Sequence, residues 1–215
     1  MTRITLLLLV LLCNTAVLGQ SSPYANRAEA LEGLVATDAA RRAEAVFWIA
    51  NYGTPADDEA LRRRLVDESP LVREFAEKGL WRLWSRSGDK AIDALMAKGA
   101  EEMQAQQLKA SIATYSEVIR RKPAFAEGWN RRATARFLAG DLKKSLADCD
   151  EVMKRNPYHF GALAGYGQIY FQLEQYEKAI DYWKRALKVN PNMSGVEVNI
   201  EIAEKLIVER RKRSA

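Results

Sequence analysis

The sequence predicts an all-α, right-handed helical-repeat solenoid, and three observations predict it. Pro123, Pro157 and Pro191 fall at equal intervals of 34 residues. Between them the text matches in kind: small Gly99, Ala133 and Gly167 recur where two helices of a pair must approach, and Tyr115, Cys149 and Trp183 recur as the side chains filling the gap behind them. After the last proline, Val196, Ile200, Ala203 and Ile207 fall on one helical stripe, with Ile202 and Leu206 broadening it, as expected of a helix that caps the array. Units of this kind cannot bury their apolar faces alone, so they stack, and the product is an extended surface that holds another molecule.

Three copies are expected, over residues 92–125, 126–159 and 160–193, within a section running from 89 to 193. The last carries Leu163, Tyr166, Gly167 and Tyr170 on its first helix, Ala179 and Trp183 on its second, and Pro191 at its end. The middle copy carries Trp129, Ala133, Ser145, Cys149 and Pro157, with Gly140-Asp141 as the turn between helices. The first aligns through Leu95, Gly99, Ser111, Tyr115 and Pro123. Each proline lacks an N–H and restricts the residue before it, which stops one unit and lets the next begin. This pattern resembles the tetratricopeptide repeat, W-x2-L-G-x2-Y, then A-x3-F, then P.

The resemblance implies that the first helix of each pair lines a groove for a protein or peptide. On that mapping Gly161, Ala164, Gly165 and Gln168 are the floor, and Asn130, Arg131, Thr134, Phe137 and Gln172 stand around it. Three glycines in Phe160–Gly167 cost about 0.5–1 kcal/mol each relative to alanine. Two readings offset that cost: a slot for a bulky side chain of a partner, or close packing against the neighbouring repeat. The family's clamp for a terminal carboxylate uses lysines and asparagines, whereas the comparable surface here has Met96, Ala100, Asn130 and Thr134. Arg132 and Arg136 stand where the family has apolar residues, with Glu102 at the equivalent of Arg136 in the preceding unit. The expectation is an ionic cluster of Glu102, Arg132 and Arg136, serving register or an acidic ligand.

The 215 residues are 48% hydrophobic and 28% charged, with a formal charge of +5 and a pI near 9.2, an ordinary globular composition and too mildly basic to argue for nucleic acid. Two cysteines and one histidine exclude a disulfide framework and a Cys/His zinc site. No cofactor and no metal are expected. Met1-Thr2-Arg3, the apolar run Ile4–Leu12 and Val17-Leu18-Gly19 read as a secretory signal over residues 1–19, which places the mature chain in the periplasm or outside the cell. The run is too short to span a bilayer, and Cys13 lacks the small preceding residue that lipid attachment prefers. Loss of this leader leaves Cys149 alone.

Residues 20–88 are helical with a different period. Asp67-Glu68-Ser69-Pro70-Leu71-Val72-Arg73 followed by Ala76 and Leu80 resembles a HEAT repeat, and Thr37–Arg42 with Ala43 and Phe47 is a weaker earlier copy. Ser69 and Thr54 each cap a helix that begins with proline. Leu61, Leu65, Phe75, Leu80, Leu83 and Trp84 are the expected core. Polar Ser85–Lys90 joins this section end to end with the repeats as a short, rigid hinge. Residues 194–215 form the capping helix and a basic tail, Arg210–Arg213, the tail and the leader being the only expected membrane contacts.

No catalytic constellation accompanies this pattern. His159 has no nucleophile or orienting acid beside it in sequence and reads as a turn residue. Cys149 occupies an interior position, and Asp148 and Asp150 leave a helix on different sides. The chain reads as a non-catalytic protein- or peptide-binding scaffold or assembly factor of the cell envelope or extracellular space. The alternative is an accessory subunit or small hydrolase with its site at the junction of the two sections; a cytoplasmic adaptor that keeps its leader is a third reading.

Overall fold

The computed structural model describes residues 23–214, so the expected leader lies outside the described residues. Those residues form eleven α-helices and no strand. Four lie in the N-terminal section: α1 (Arg27–Gly33), α2 (Ala39–Tyr52), α3 (Asp58–Arg62) and α4 (Pro70–Ser85). Three pairs follow: α5 (Lys90–Gln104) with α6 (Leu108–Arg121), α7 (Ala126–Leu138) with α8 (Leu142–Arg155), and α9 (Phe160–Gln172) with α10 (Tyr176–Val189). The last helix, α11 (Ser194–Ser214), packs on α10.

Local devices recur between the pairs. Ser111 donates to the Gly99 carbonyl at 2.9 Å and Ser145 to the Ala133 carbonyl at 2.8 Å, pinning the second helix to the first. A Cβ on Gly99 would lie 2.6 Å from the Tyr115 ring, and one on Gly167 would overlap the Trp183 indole, so both glycines are required by close approach. The turn between helices needs a left-handed residue, and it recurs at the 34-residue register as Gln106 (φ 59°), Gly140 (φ 77°) and Glu174 (φ 56°). Only the middle copy uses the residue for which that conformation is unstrained. On α11, Val196 and Ala203 are buried with Ile200 and Ile207 beside them, whereas Ile202 is 42% exposed and turns away from the last repeat.

The N-terminal section does not continue the array end to end. Gly88 (φ 76°) reverses the chain after α4, and Ser87 ties the reversal down by accepting and donating hydrogen bonds with Asp89 and Asp93, while the Lys122 ammonium bonds its carbonyl. The helix α4 then lies across the starts of the repeats. Trp84 stacks on His159 at 4.5 Å between ring centroids and meets Phe160 at 5.0 Å. Trp81 packs edge-on against His159 and Phe160. Farther along, Arg73 donates to the Asn192 side chain at 3.1 Å, and Asn192 donates to the Leu65 carbonyl at 2.8 Å. Phe160 is thus part of the N-terminal core, with Val189 and Met193 packed against it. From Arg73 to Trp84 the rise of an α-helix gives about 16 Å, enough to bridge the second repeat to the turn after the third.

Beneath these rings lies a buried polar pair. His159 caps α9: its Nδ1 accepts the Ala162 N–H at 3.0 Å, so the proton sits on Nε2 and is donated to Glu127 at 3.1 Å. Arg131 and Asn130 also donate to Glu127, at 2.6 and 3.0 Å. Burial pushes the Glu127 carboxyl up, but the bond from His159 and the Arg131 charge outweigh it and hold it below the usual carboxylate range. In the N-terminal section Arg42 grips buried Asp67 through two bonds, at 2.8 and 3.0 Å, and Arg27 pairs with buried Asp57. Burial raises both of these carboxyls as well, yet Arg42 and the Ser69 N–H on Asp67, and Arg27 and the Thr54 N–H on Asp57, leave them depressed.

Two outcomes are expected. Glu174→Gly relieves the left-handed strain and raises stability by about 0.5–1 kcal/mol in chemical denaturation, partly offset by the greater freedom of the unfolded chain. The second concerns acid. Carboxyls depressed in the folded state bind fewer protons than in the unfolded state, so their contribution is complete above the unfolded value near pH 4 and is lost as pH falls through the folded values. Melting temperature should therefore drop below about pH 4, and Asp67→Asn should cost about 3 kcal/mol at neutral pH and flatten that drop.

Candidate peptide-binding groove

The first helices α7 and α9 lie side by side, and a cavity of about 140 Å³ opens between them. Asn130, Thr134 and Phe137 contribute from α7, and Gly161, Gly165 and Gln168 from α9, so six of the nine groove residues read from the sequence meet in one place. The other three do not line it. Arg131 is turned onto Glu127, the Ala164 carbonyl accepts the Trp183 indole N–H at 3.2 Å, and Gln172 is exposed beyond the cavity's end.

The two readings of the glycine stretch divide between residues. A Cβ on Gly161 would overlap the Trp81 ring, and Gly167 faces Trp183, so these two are packing positions. Gly165 is different. A Cβ there would meet only the Cys149 sulfur, at 3.9 Å, an ordinary contact with open space around it.

Ala133, Ser145, Cys149, Ala162 and Ile169 complete the lining and were not singled out for it. The register explains the space they surround. Cys149 occupies the position that Tyr115 and Trp183 fill in the other repeats, and opposite it Ala133 replaces glycine with only a methyl group. The short side chain leaves unfilled the volume that an aromatic ring takes elsewhere. Burial, with Asp148 and Asp150 nearby, pushes the Cys149 thiol up to about 12, so it lines the cavity as a neutral small group.

The ionic cluster needs correction. Arg132 and Arg136 converge on Asp148, at 2.8 and 2.7 Å, and Glu102 takes no part. Instead Glu102 accepts the Thr114 hydroxyl at 2.6 Å, with Lys98 at 3.8 Å. These positions project from the first helix onto the second helix of the same repeat. At the same register Tyr166 and Tyr170 both stack on Tyr182, with centroids at 4.3 and 5.4 Å. One set of positions therefore carries a hydrogen bond, an ion pair and an aromatic stack in successive repeats. The second and third sets also reach back: Arg132 donates to Ser116 at 3.0 Å, and the Tyr166 hydroxyl bonds Asp150 one register later.

A second cleft of about 450 Å³ lies where the N-terminal section meets the turns at Phe125 and Tyr158. Its charged residues are occupied locally. Asp58 accepts from Arg62 at 2.5 Å and from the Trp84 indole at 2.6 Å, Glu59 pairs with Arg63 at 2.6 Å, and Arg155 pairs with Glu151 at 2.6 Å. Its lining includes no histidine, cysteine, serine or lysine.

Comparison with known proteins agrees with this architecture. The sequence profile described as tetratricopeptide repeat matches residues 163–193. A TPR repeat-containing protein of Rhizobium etli is 34% identical over 129 residues, 59% of this chain and 63% of that protein. The Hsp70-Hsp90 organizing protein of Triticum aestivum is 29% identical over 103 residues, 48% of this chain and 18% of its own length. The chain thus spans less than two thirds of either relative. Among solved structures, the TPR2B domain of yeast Sti1 in its pHsp70 complex superposes with a TM-score of 0.52 at 19% identity, covering 55% of this chain and 99% of that domain, a likeness of fold. With helix pairs at a 34-residue period and a profile matched in the third pair, the chain carries a tetratricopeptide repeat over residues 163–193 and is similar to proteins built from that repeat.

Proposed function

We propose that this protein is a non-catalytic scaffold or assembly factor that holds a segment of another polypeptide in the groove between α7 and α9, in the cell envelope or outside the cell. The observation that carries the reading is the cavity at Gly165: it is open, it spans two first helices, and it adjoins a stretch whose glycine content costs helix stability without a packing reason at that residue. The wheat relative's name and the yeast complex support a polypeptide partner for this kind of array. The location rests on the composition of residues 1–19.

A photo-crosslinking amino acid at exposed Gln168, introduced in the native host, tests the site. The expected result is a discrete set of cross-linked polypeptides that disappears when Gly165→Leu fills the cavity, with melting temperature retained. Cross-links that persist unchanged in a folded Gly165→Leu variant would place the partner elsewhere. N-terminal sequencing of the native protein is expected to begin at Gln20; a chain retaining Met1 and recovered from the cytoplasm contradicts the location.

A further inference from the structure

Resting on the groove reading above, we infer that the anchor this groove accepts is one uncharged side chain of phenyl or leucyl size on the partner segment. The volume is the first reason. About 140 Å³ matches the roughly 150 Å³ apolar cavity that admits benzene. Gly161 packs closely on the chain's own Trp81 ring, whereas the backbone at Gly165 has open space around it, so the room offered to a partner is at Gly165.

Charge supplies the second reason. The lining includes no Asp, Glu, Lys, Arg or His. Arg131, which stands at the register of Gly165 in the preceding repeat, is held by Glu127 at 2.6 Å. The hydroxyls of Thr134 and Ser145 are spent on the carbonyls of Asn130 and Ala133, at 3.1 and 2.8 Å, and the Asn130 amide on Glu127. A carboxylate or ammonium entering this space would lose its hydration and meet no counter-charge, which a neutral apolar group does not suffer. Neutral lining complements a neutral anchor. The surface beyond continues the same chemistry: Val198 and Ile202 on α11, at the register of Ala164 and Gln168, are 52% and 42% exposed. The partner is therefore a segment with an apolar anchor and an apolar flank, and a free acidic C-terminus is not what the groove reads.

Selection from a library of random peptides displayed internally, so that no free C-terminus is presented, on the immobilised full chain tests this. Enriched sequences are expected to share a single Phe, Leu or Met with uncharged neighbours. A synthetic amidated peptide of that sequence should bind at least tenfold more weakly when its anchor is changed to Asp, or when Thr134→Arg places a charge on the groove. Thr134 is exposed, so that variant should keep the wild-type melting temperature. Enrichment of charged anchors, with binding still lost in Thr134→Arg, leaves the groove reading standing and overturns the inference. Binding unaffected by both Thr134→Arg and Gly165→Leu overturns the groove reading with it, and so does the absence of any enriched sequence.

Discussion

The contact on which the structure depends is the seat that Trp81 and Trp84 take on His159, Phe160 and Gly161. A stack of helix pairs is held only by neighbour-to-neighbour surfaces, and its stability is close to a sum of local terms. Here α4 adds a connection of a different order. It leaves the first repeat at Ser87, crosses the starts of α7 and α9, and reaches the turn after the third repeat at Asn192. The first repeat, through Lys122, and the turn after the third, through Asn192, are thereby both tied to the N-terminal section. The buried His159–Glu127 pair is part of that seat, because the imidazole that caps α9 is the same ring that Trp84 covers.

Between α7 and α9 the folded chain holds an open cavity. Its floor is shaped by what each repeat puts at two facing positions. Gly99 with Tyr115 and Gly167 with Trp183 close their repeats tightly, whereas Ala133 with Cys149 leaves a hollow. The nearby ionic group serves the same repeat differently. Asp148 receives two guanidinium groups and is buried, an arrangement that adds little net stability but fixes how α7 sits on α8. The hollow and the ion pair lie in one repeat, so the middle unit departs most from uniform packing.

Much of this was legible in the sequence, and the remainder fails for identifiable reasons. Equally spaced prolines and the Gly/Ala positions announce the pairs because those residues are demanded by backbone geometry. Gly140 marked its turn, while Gln106 and Glu174 did not, since residues with a Cβ carry no signal for a left-handed conformation. The partner of Arg132 and Arg136 was misassigned because stacking between repeats was weighed above the fold of one repeat on itself. Register brings six of the nine expected residues to one cavity; Cys149 reads from the sequence only as interior, although its small size at the position of Tyr115 and Trp183 already implies a void. The course of α4 was not legible at all. Periodicity describes contacts between successive units, and the meeting of Trp81 with Gly161 lies outside any period.

The bracing role of α4 is the central claim, and native-state hydrogen exchange on the wild type and Trp84→Ala tests it most directly. If α4 braces the array, the slowest amides of α4, α7 and α9 share one opening free energy in the wild type, and Trp84→Ala lowers it in all three helices. Loss of protection confined to α1–α4, with α7 and α9 exchanging as before, would contradict the account.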